Sequence, residues 1–461
     1  MTEFMEETNV LNKKQIGFKK GSRTADHIFV LKTLIDIYKR KRQPIYSCFL
    51  DLRKAFDSVW RSGLFYKMLK YGVSKKFVCI VKDLYNKTKN RVFVNGFLSQ
   101  TFVSEIGTRQ GCILSPTIFT LFMNDLPRIL RKGNCQPVEL NGTKLNLLMY
   151  ADDIILMSKT KAGLQRSLDI CKQYLLKWKL RLNLQKSKIV IFNRKADEND
   201  TFYFGDDIME IVSKYKYLGL YIDNKIGMKA ASDDLLIKAK KAYGALYQSL
   251  NIYNGAKPRI ILKAFDSMVV PILSYGSEIR TPYDIKVNID KILENVTCAV
   301  EKFHNRVCKN VLGVRRCASN IACRAELGRY PFAINSIVNT FRYYLYLQDK
   351  PVDSLLGQAL IAQNSMSQSN KKNIVSFLKS LCRDINHHLP YREECLGASK
   401  YKKAKLANLL KSKLMTLYSS TQKKLIVNNK KLEVLSMVKI NVMLNLRIIS
   451  TILEMLNKEL H

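Results

Sequence analysis

Residues 147–156 read LLMYADDIIL, two short apolar runs separated by two adjacent acids, Asp152 and Asp153. Apolar runs of this length predict buried strands, and the residues between them predict a tight turn. An unpaired carboxylate near a core costs several kcal/mol, and two adjacent carboxylates repel each other. One explanation is local, because Asp is favoured in turns. The other is a divalent cation, which binds hard oxygen ligands and would offset both penalties.

A third acid ends another apolar run. The segment PIYSCFLD predicts a buried strand that starts after Pro44 and ends at Asp51. If this strand end lies beside the Asp152–Asp153 turn in one sheet, three carboxylates converge. Such a set could hold two metal ions about 4 Å apart, the arrangement used in phosphoryl transfer. A strand-end Asp that only caps the following helix is the structural alternative.

Helix and strand patterns alternate up to about residue 223, which predicts an α+β domain with a mixed or antiparallel sheet. Local signals also mark the ends of elements. These are a helix cap at Thr24 or Asp26, a hairpin at Asn95-Gly96, and a helix with Ser115 as N-cap and Pro116 at its first position.

Beyond Asp223, strand patterns become rare and helical spacing prevails to the end of the chain. We therefore predict three regions, residues 1–223, 224–350 and 351–461, of which the last two are helical. The polar stretch QNSMSQSNKKN, residues 363–373, predicts a linker.

The net charge indicates the class of partner. Lys and Arg number 77 against 38 Asp and Glu, a formal charge of +39. So large an excess of one sign predicts a polyanionic partner, most simply nucleic acid, although a basic surface on an unrelated enzyme is the alternative. Hydrophobic residues make up 47% of the chain, which excludes a disordered polyelectrolyte.

The 11 cysteines are odd in number and follow no disulfide framework. This predicts reduced thiols in an intracellular protein, without deciding between nucleus and cytoplasm. The run KRKR, residues 39–42, fits a nuclear-import patch or a solvated loop. No apolar stretch approaches the roughly 18 residues of a membrane span, so we expect no membrane partner.

Several segments, taken in order, resemble the palm motifs of reverse transcriptases. They are FLDLRKAFDSV (49–59), GTRQGCILSPTIF (107–119), YADD (150–153), LNLQKSKIVIF (182–192) and YLGLYI (217–222). The upstream QIGFKKGSRTADHI (15–28) resembles the non-LTR, or LINE, retrotransposon branch. PILSYGSEI and AELGRYPF resemble the region that follows the polymerase in LINE proteins.

The resemblance implies a right-hand polymerase with partial fingers, a palm, a helical thumb and an additional helical C-terminal region. It implies an RNA-directed DNA polymerase that uses an RNA template, a DNA primer, dNTPs and two Mg²⁺ ions. Asp51, Asp152 and Asp153 would bind both ions and would be catalytic. The sequence makes no prediction of the oligomeric state.

Further residues match positions with known roles in the family. Phe56 matches the steric gate that excludes a ribose 2′-hydroxyl, although it could simply be a core residue. Lys186 matches the lysine that protonates the leaving pyrophosphate, with Lys188 as a competitor. The nucleotide-binding loop corresponds to Arg109, Gln110 and Gly111, the primer grip to Tyr217, Leu218 and Gly219, and a weaker phosphate contact to Arg23 with Lys19 and Lys20.

The chain also departs from the family pattern. LINE proteins carry a basic segment upstream of the GF motif, and the chain begins too late to contain it, which predicts an N-terminally truncated element product. A catalytically impaired, nucleic-acid-binding remnant is therefore one alternative. An intron maturase or a telomerase-like enzyme is another, although the QIGF and ELGR stretches favour the LINE branch.

Overall fold

The computed structural model describes residues 1–427, except for residues 9, 13, 87, 110, 225–226, 251–256, 286–297 and 368–371. The chain divides into two compact units. The first consists of Met1–Ile226 with Val352–Ala362, and the second takes in the rest of the described chain. The assignment of fingers, palm and thumb to particular residues stays a prediction.

A four-stranded antiparallel sheet forms the centre of the first unit. Its strands are β1 (Ile45–Leu50), β8 (Leu147–Tyr150), β9 (Asp153–Ser158) and β10 (Lys188–Phe192), numbered in chain order. They lie in the order β10-β1-β9-β8, so β1 is flanked on both sides. An internal strand of this kind is buried on both faces, which explains why the run before Asp51 is almost continuously apolar. Of the two predicted alternatives, a mixed or an antiparallel sheet, the central sheet is antiparallel.

The other strands of this unit form short antiparallel pairs. These are β2 (Thr88–Asn90) with β5 (Phe102–Ser104), β3 (Phe93–Val94) with β4 (Phe97–Leu98), β6 (Val138–Leu140) with β7 (Thr143–Leu145), β11 (Tyr203–Phe204) with β12 (Asp207–Ile208), and β13 (Lys214–Tyr217) with β14 (Leu220–Asp223). The predicted hairpin at Asn95-Gly96 is confirmed, since both residues have positive φ, 48° and 85°, as a two-residue turn of this type requires.

Helices complete the first unit. They are α1 (Thr2–Glu7), α2 (Thr24–Arg40), α3 (Arg61–Lys70), α4 (Lys75–Tyr85), α5 (Ser115–Phe122), α6 (Leu126–Lys132) and α7 (Lys161–Lys177). Two predicted helix starts are wrong in detail. The residue at the N-cap position of α2 is Arg23. Asp26 lies in the first turn of the helix, and its carboxylate accepts a hydrogen bond from the Arg23 N–H at 2.9 Å. Ser115 is already helical, and its Oγ donates to the Arg109 carbonyl at 2.7 Å instead of capping.

After Asp223, the described residues contain helices and no strand. The helices are α8 (Lys229–Ser249), α9 (Pro258–Met268), α10 (Val270–Ser274), α11 (Ser277–Asp284), α12 (Ala299–Leu312), α13 (Asn320–Glu326), α14 (Phe332–Gln348), α15 (Leu355–Ser367), α16 (Ile374–Asp384), α17 (Arg392–Cys395) and α18 (Lys400–Val427). The prediction that this region is helical is thus confirmed for the described residues up to residue 427. Within the described ranges, no helix has both the length and the apolar character needed to cross a membrane.

The linker predicted over residues 363–373 is wrong for its first part, because α15 extends through Ser367. Gln363 is buried there, and its Oε1 accepts a hydrogen bond from the Ile374 N–H at 3.2 Å. Asn373 caps α16 by accepting from the Ser376 N–H at 2.8 Å. The polar side chains that suggested a linker instead satisfy backbone groups at a helix junction.

Candidate active site

The three acids meet at one edge of the central sheet. Strands β1 and β9 are antiparallel neighbours, with Leu50 opposite Ile154. The end of β1, where Asp51 follows, therefore lies beside the start of β9, where Asp152 and Asp153 stand. The conditional prediction that the two strand ends are neighbours is confirmed.

The carboxylates are partly buried and act on one another. Burial raises the pKa of Asp153 to about 6, and the nearby charges of Asp152 and Asp51 act in the same direction. Burial also raises the pKa of Asp152, again with a contribution from Asp51. A hard divalent cation would relieve this repulsion, so the donor set fits such an ion. Within the described ranges, no three His, Cys, Asp or Glu side chains are already gathered as a coordination shell.

The loop before β10 is fastened to the same strand end. The Asp51 N–H donates to Ser187 Oγ at 3.0 Å, and the Asp51 carbonyl accepts from the Asn183 N–H at 2.8 Å. These bonds bring Lys186 into the wall of the cleft that contains Asp51. Lys188, by contrast, forms an ion pair with Glu210 at 2.5 Å. Of the two candidate lysines, Lys186 is therefore the one beside the acids.

The cleft above the acids has a volume of about 620 Å³. It brings together several of the residues singled out from the sequence. They are Asp51, Phe56, Arg109, Gly111, Asp152 and Lys186. Gln110 lies outside the described residues. Cys112 and Asn183 also line the cleft, although the sequence analysis gave neither a role.

Phe56 belongs both to the cleft wall and to the packing beneath it. Its ring lies 4.4 Å from that of Phe119 and 6.3 Å from that of Phe18, measured between centroids. Its carbonyl accepts from the Thr108 N–H at 2.8 Å, which ties it to the loop that carries Arg109. The two interpretations of Phe56, gate and core residue, are thus compatible, and the gate stays a prediction.

The loop that carries Arg109 and Gly111 also borders the cleft. The Arg109 N–H lies 3.4 Å from the Tyr85 hydroxyl, while its side chain is exposed. Gly111 has φ of 78°, a value that favours glycine, and the space where a Cβ would stand is open. Because glycine has no side chain, a planar ligand group could approach the backbone closely at this position.

Arg61 supports this loop, and the sequence analysis missed it. Its guanidinium donates to four backbone carbonyls, those of Tyr85 (2.9 Å), Ser104 (2.6 Å), Ile106 (3.1 Å) and Gly107 (3.0 Å). It thus joins α4, β5 and the start of the loop that carries Arg109 through one planar group. An Arg at the start of a helix is common, so no local pattern in the sequence indicates this role.

The predicted primer grip is the turn between β13 and β14. Leu218 and Gly219 form this turn with φ of 44° and 84°. Tyr217 is buried, and its hydroxyl lies 3.3 Å from Nδ1 of His27, whose pKa burial lowers to about 3. The ring of Tyr217 therefore anchors the hairpin, and the exposed backbone around Gly219 is the part that a primer could reach.

Other candidate residues lie away from this cleft. Arg23 is exposed at the start of α2 and does not line the cleft, so its contact with phosphate stays a prediction. All 11 cysteines are free, as the sequence predicted.

The repulsion among the acids predicts a stability effect. Replacing Asp153 by Asn should stabilise the metal-free protein by about 1 kcal/mol at neutral pH, a value reduced for solvent screening. Because the folded-state pKa of Asp153 is about 6, against an ordinary value of 3.8, ionisation destabilises the fold as the pH rises above 3.8. Thermal unfolding in a chelator should show a gain in melting temperature at pH 7 that shrinks as the pH falls toward about 4.

Added Mg²⁺ should raise the melting temperature of the parent more than that of the Asp153→Asn variant, because the parent keeps the full set of acidic ligands. Equal melting temperatures at every pH would show that Asp153 is not held in an unfavourable environment.

Comparison with known proteins agrees with this geometry. Residues 1–222 match the family model described as reverse transcriptase (RNA-dependent DNA polymerase). This stretch of the chain is a reverse transcriptase domain. The curated relatives to which it is similar include RNA-directed DNA polymerases of mobile elements.

Two relatives show the extent of the similarity. The RNA-directed DNA polymerase from mobile element jockey of Drosophila melanogaster is 24% identical over 279 residues, which cover 59% of this chain and 30% of that protein. The Pol polyprotein of the type-1 retrotransposable element R2 of Bradysia coprophila is 32% identical over 179 residues, 39% of this chain and 20% of that protein. The chain thus spans about a third or less of these relatives' length.

Among solved structures, telomerase from Candida tropicalis in complex with a fragment of telomeric RNA aligns with 89% of this chain and 55% of its own. The TM-score is 0.38 and the sequence identity 12%.

Proposed function

We propose that this chain catalyses RNA-templated DNA synthesis. The primer 3′-hydroxyl oxygen forms a bond to the α-phosphorus of a dNTP, and the bond from that phosphorus to pyrophosphate breaks. The observation that supports this reaction most directly is the meeting of Asp51, Asp152 and Asp153 at neighbouring strand ends of the sheet. Asp51 and Asp152 line a cleft there together with Arg109 and Lys186. Positioning and charge stabilisation are the main requirements of phosphoryl transfer, and this cleft offers both.

The acids would hold two Mg²⁺ ions. When bound, such ions make the attacking hydroxyl more acidic and neutralise charge on the triphosphate. Magnesium is favoured because its usual ligands are one or two carboxylates together with substrate phosphates.

The chain's own residues would then orient the substrates. Lys186 would donate a proton to the departing pyrophosphate, and Phe56 would lie beneath the sugar. The loop of Arg109, Gln110 and Gly111 would contact the incoming nucleotide and the template base. The turn at Leu218 and Gly219, supported by Tyr217, would hold the primer end, and Arg23 would contact a phosphate.

The proposed partners are an RNA template, a DNA primer and dNTPs, consistent with the charge of +39. The three acids are all present and share one sheet edge, which favours an active enzyme over an impaired remnant. We expect extension of an oligo(dT) primer on a poly(rA) template with Mg²⁺, and none with a chelator. Binding without extension at any Mg²⁺ or Mn²⁺ concentration would instead support the remnant.

Binding to primer–template should be tight, tolerant of sequence and steeply dependent on salt. Six phosphate contacts on a duplex would give a log–log slope of affinity against salt of about −5, from roughly −0.9 per contact. Fluorescence anisotropy with a labelled primer–template, titrated at several KCl concentrations, measures the slope. A flat response would show that the basic surface does not bind the nucleic acid.

A further inference from the structure

The segment before α2 lies along the sheet edge next to β8. The Ile16 N–H donates to the Met149 carbonyl at 3.1 Å, and the Met149 N–H donates to the Lys14 carbonyl at 3.0 Å. Gln15 thereby pairs with Met149 in a parallel bridge. The segment thus reaches the turn that joins β8 to β9 and carries Asp152.

The side chain of Gln15 bonds to both backbone groups of Ala151, the residue just before Asp152. Its Oε1 accepts from the Ala151 N–H at 3.0 Å, and its Nε2 donates to the Ala151 carbonyl at 3.2 Å. Oε1 also accepts from the Gly17 N–H at 2.9 Å. Gln15 is fully buried, so water does not compete for these bonds. The side-chain amide of Gln15 therefore provides Ala151 with the two backbone hydrogen bonds that a neighbouring strand would otherwise provide.

The backbone of Ala151 has an unfavourable conformation. Its φ is 56°, in the left-handed region, which costs an L-residue with a Cβ roughly 1–2 kcal/mol. The carbonyl that Gln15 holds belongs to the peptide between Ala151 and Asp152. Fixing this peptide plane fixes the direction in which the Asp152 side chain leaves the turn.

Gly17 shows how closely the two segments approach. A Cβ on Gly17 would stand 2.2 Å from the backbone nitrogen of Ala151 and 2.9 Å from the carbonyl carbon of Tyr150. Both are backbone atoms, so no side chain could move aside to make room. Only glycine allows the amide of Gln15 to reach the turn.

We propose that Gln15 is a positioning residue of the active site, which holds the Ala151–Asp152 peptide so that the Asp152 carboxylate points into the cleft. This role rests on the proposed polymerase function. Gln15 is fully buried and does not line the cleft, so it would act through Asp152 and not on a substrate directly. Preorganisation of this kind acts on the rate of the chemical step, since a small displacement of a catalytic group is enough to slow it strongly.

The test compares Gln15→Met with a matched control. Met has a similar length and no hydrogen-bonding amide, so the variant removes the bonds to Ala151 and keeps the volume. The control is Asn124→Ala. Asn124 is also buried and bonds to the same N-terminal segment, to the Val10 carbonyl at 2.8 Å and the Asn12 N–H at 2.7 Å, but not to the turn.

Primer extension should separate the two variants. We expect Gln15→Met to lower kcat by about tenfold or more, while KM for dNTP and Kd for primer–template stay within about threefold. Asn124→Ala should keep kcat within about threefold of the parent. Gly17→Ala should reproduce the kcat defect of Gln15→Met, because it displaces the same turn without removing the amide.

Amide hydrogen exchange of the peptide that contains Ala151 tests the inference without catalysis. Exchange there should accelerate in Gln15→Met and stay unchanged in Asn124→Ala. Unchanged exchange in Gln15→Met, or an equal kcat defect in the control, would overturn the positioning role. A parent chain that extends no primer would refute the polymerase function, and the exchange experiment would still decide whether Gln15 holds the turn.

Discussion

Replacing Asp152 by Asn should abolish primer extension and leave binding to primer–template unchanged or slightly tighter. The substitution keeps the shape of the side chain but removes a charged ligand from the set that would hold the divalent ions. Electrostatic stabilisation of this kind typically amounts to several kcal/mol, so we expect a loss of rate of at least about 10³-fold. Binding should survive because the loss of a negative charge cannot weaken attraction to phosphate.

Single-turnover extension and fluorescence anisotropy measure the two quantities separately. Asp206→Asn is a suitable control, because it makes the same chemical change at an exposed residue outside the cleft. The control should extend primers at the parental rate. An Asp152→Asn variant that stays within about tenfold of the parent would remove this carboxylate from the mechanism.

The second large effect concerns the choice of sugar. Replacing Phe56 by Val should increase the use of ribonucleotides relative to deoxynucleotides, because the cleft gains room where a 2′-hydroxyl would lie. A steric difference of this size typically changes selectivity by about 10- to 200-fold. The ratio of kcat/KM for rUTP and dTTP on a poly(rA) template measures it.

Phe119 provides the matched control for this experiment. It packs directly against Phe56 but is completely buried and does not line the cleft. Phe119→Val should therefore lower stability, by a few kcal/mol as for other large-to-small changes in a core, and leave the sugar preference as it was. If both variants extend primers with an unchanged preference, Phe56 acts only as a core residue.

Stability and specificity need not change together at these positions. Burial and the nearby charges of Asp152 and Asp51 raise the pKa of Asp153, so the site is held at a cost to the metal-free fold, as is common for catalytic groups. Phe56 combines packing with a place in the cleft wall, so its replacement should affect both properties. Measuring melting temperature beside each rate therefore separates a damaged fold from a changed site.

Local patterns in the sequence were enough to predict several parts of this protein. The strand before Asp51, the turn at Asp152 and the hairpin at Asn95-Gly96 were all predicted correctly. Each depends on apolar periodicity or on turn chemistry within about ten residues. Two of the predictions that failed, Ser115 as a cap and residues 363–367 as linker, concern polar side chains that could bond either locally or at a distance.

The sequence by itself determined the strands, the turns and the acids at the strand ends, because these follow from short-range sterics and burial. Only the tertiary structure decided which distant groups meet. It placed Lys186 in the cleft and paired Lys188 with Glu210, although the two lysines are two residues apart. It also brought Gln15 onto Ala151, 136 positions along the chain. Such contacts depend on how strands are ordered in the sheet and on the side chains available at its edge, and no local pattern specifies either.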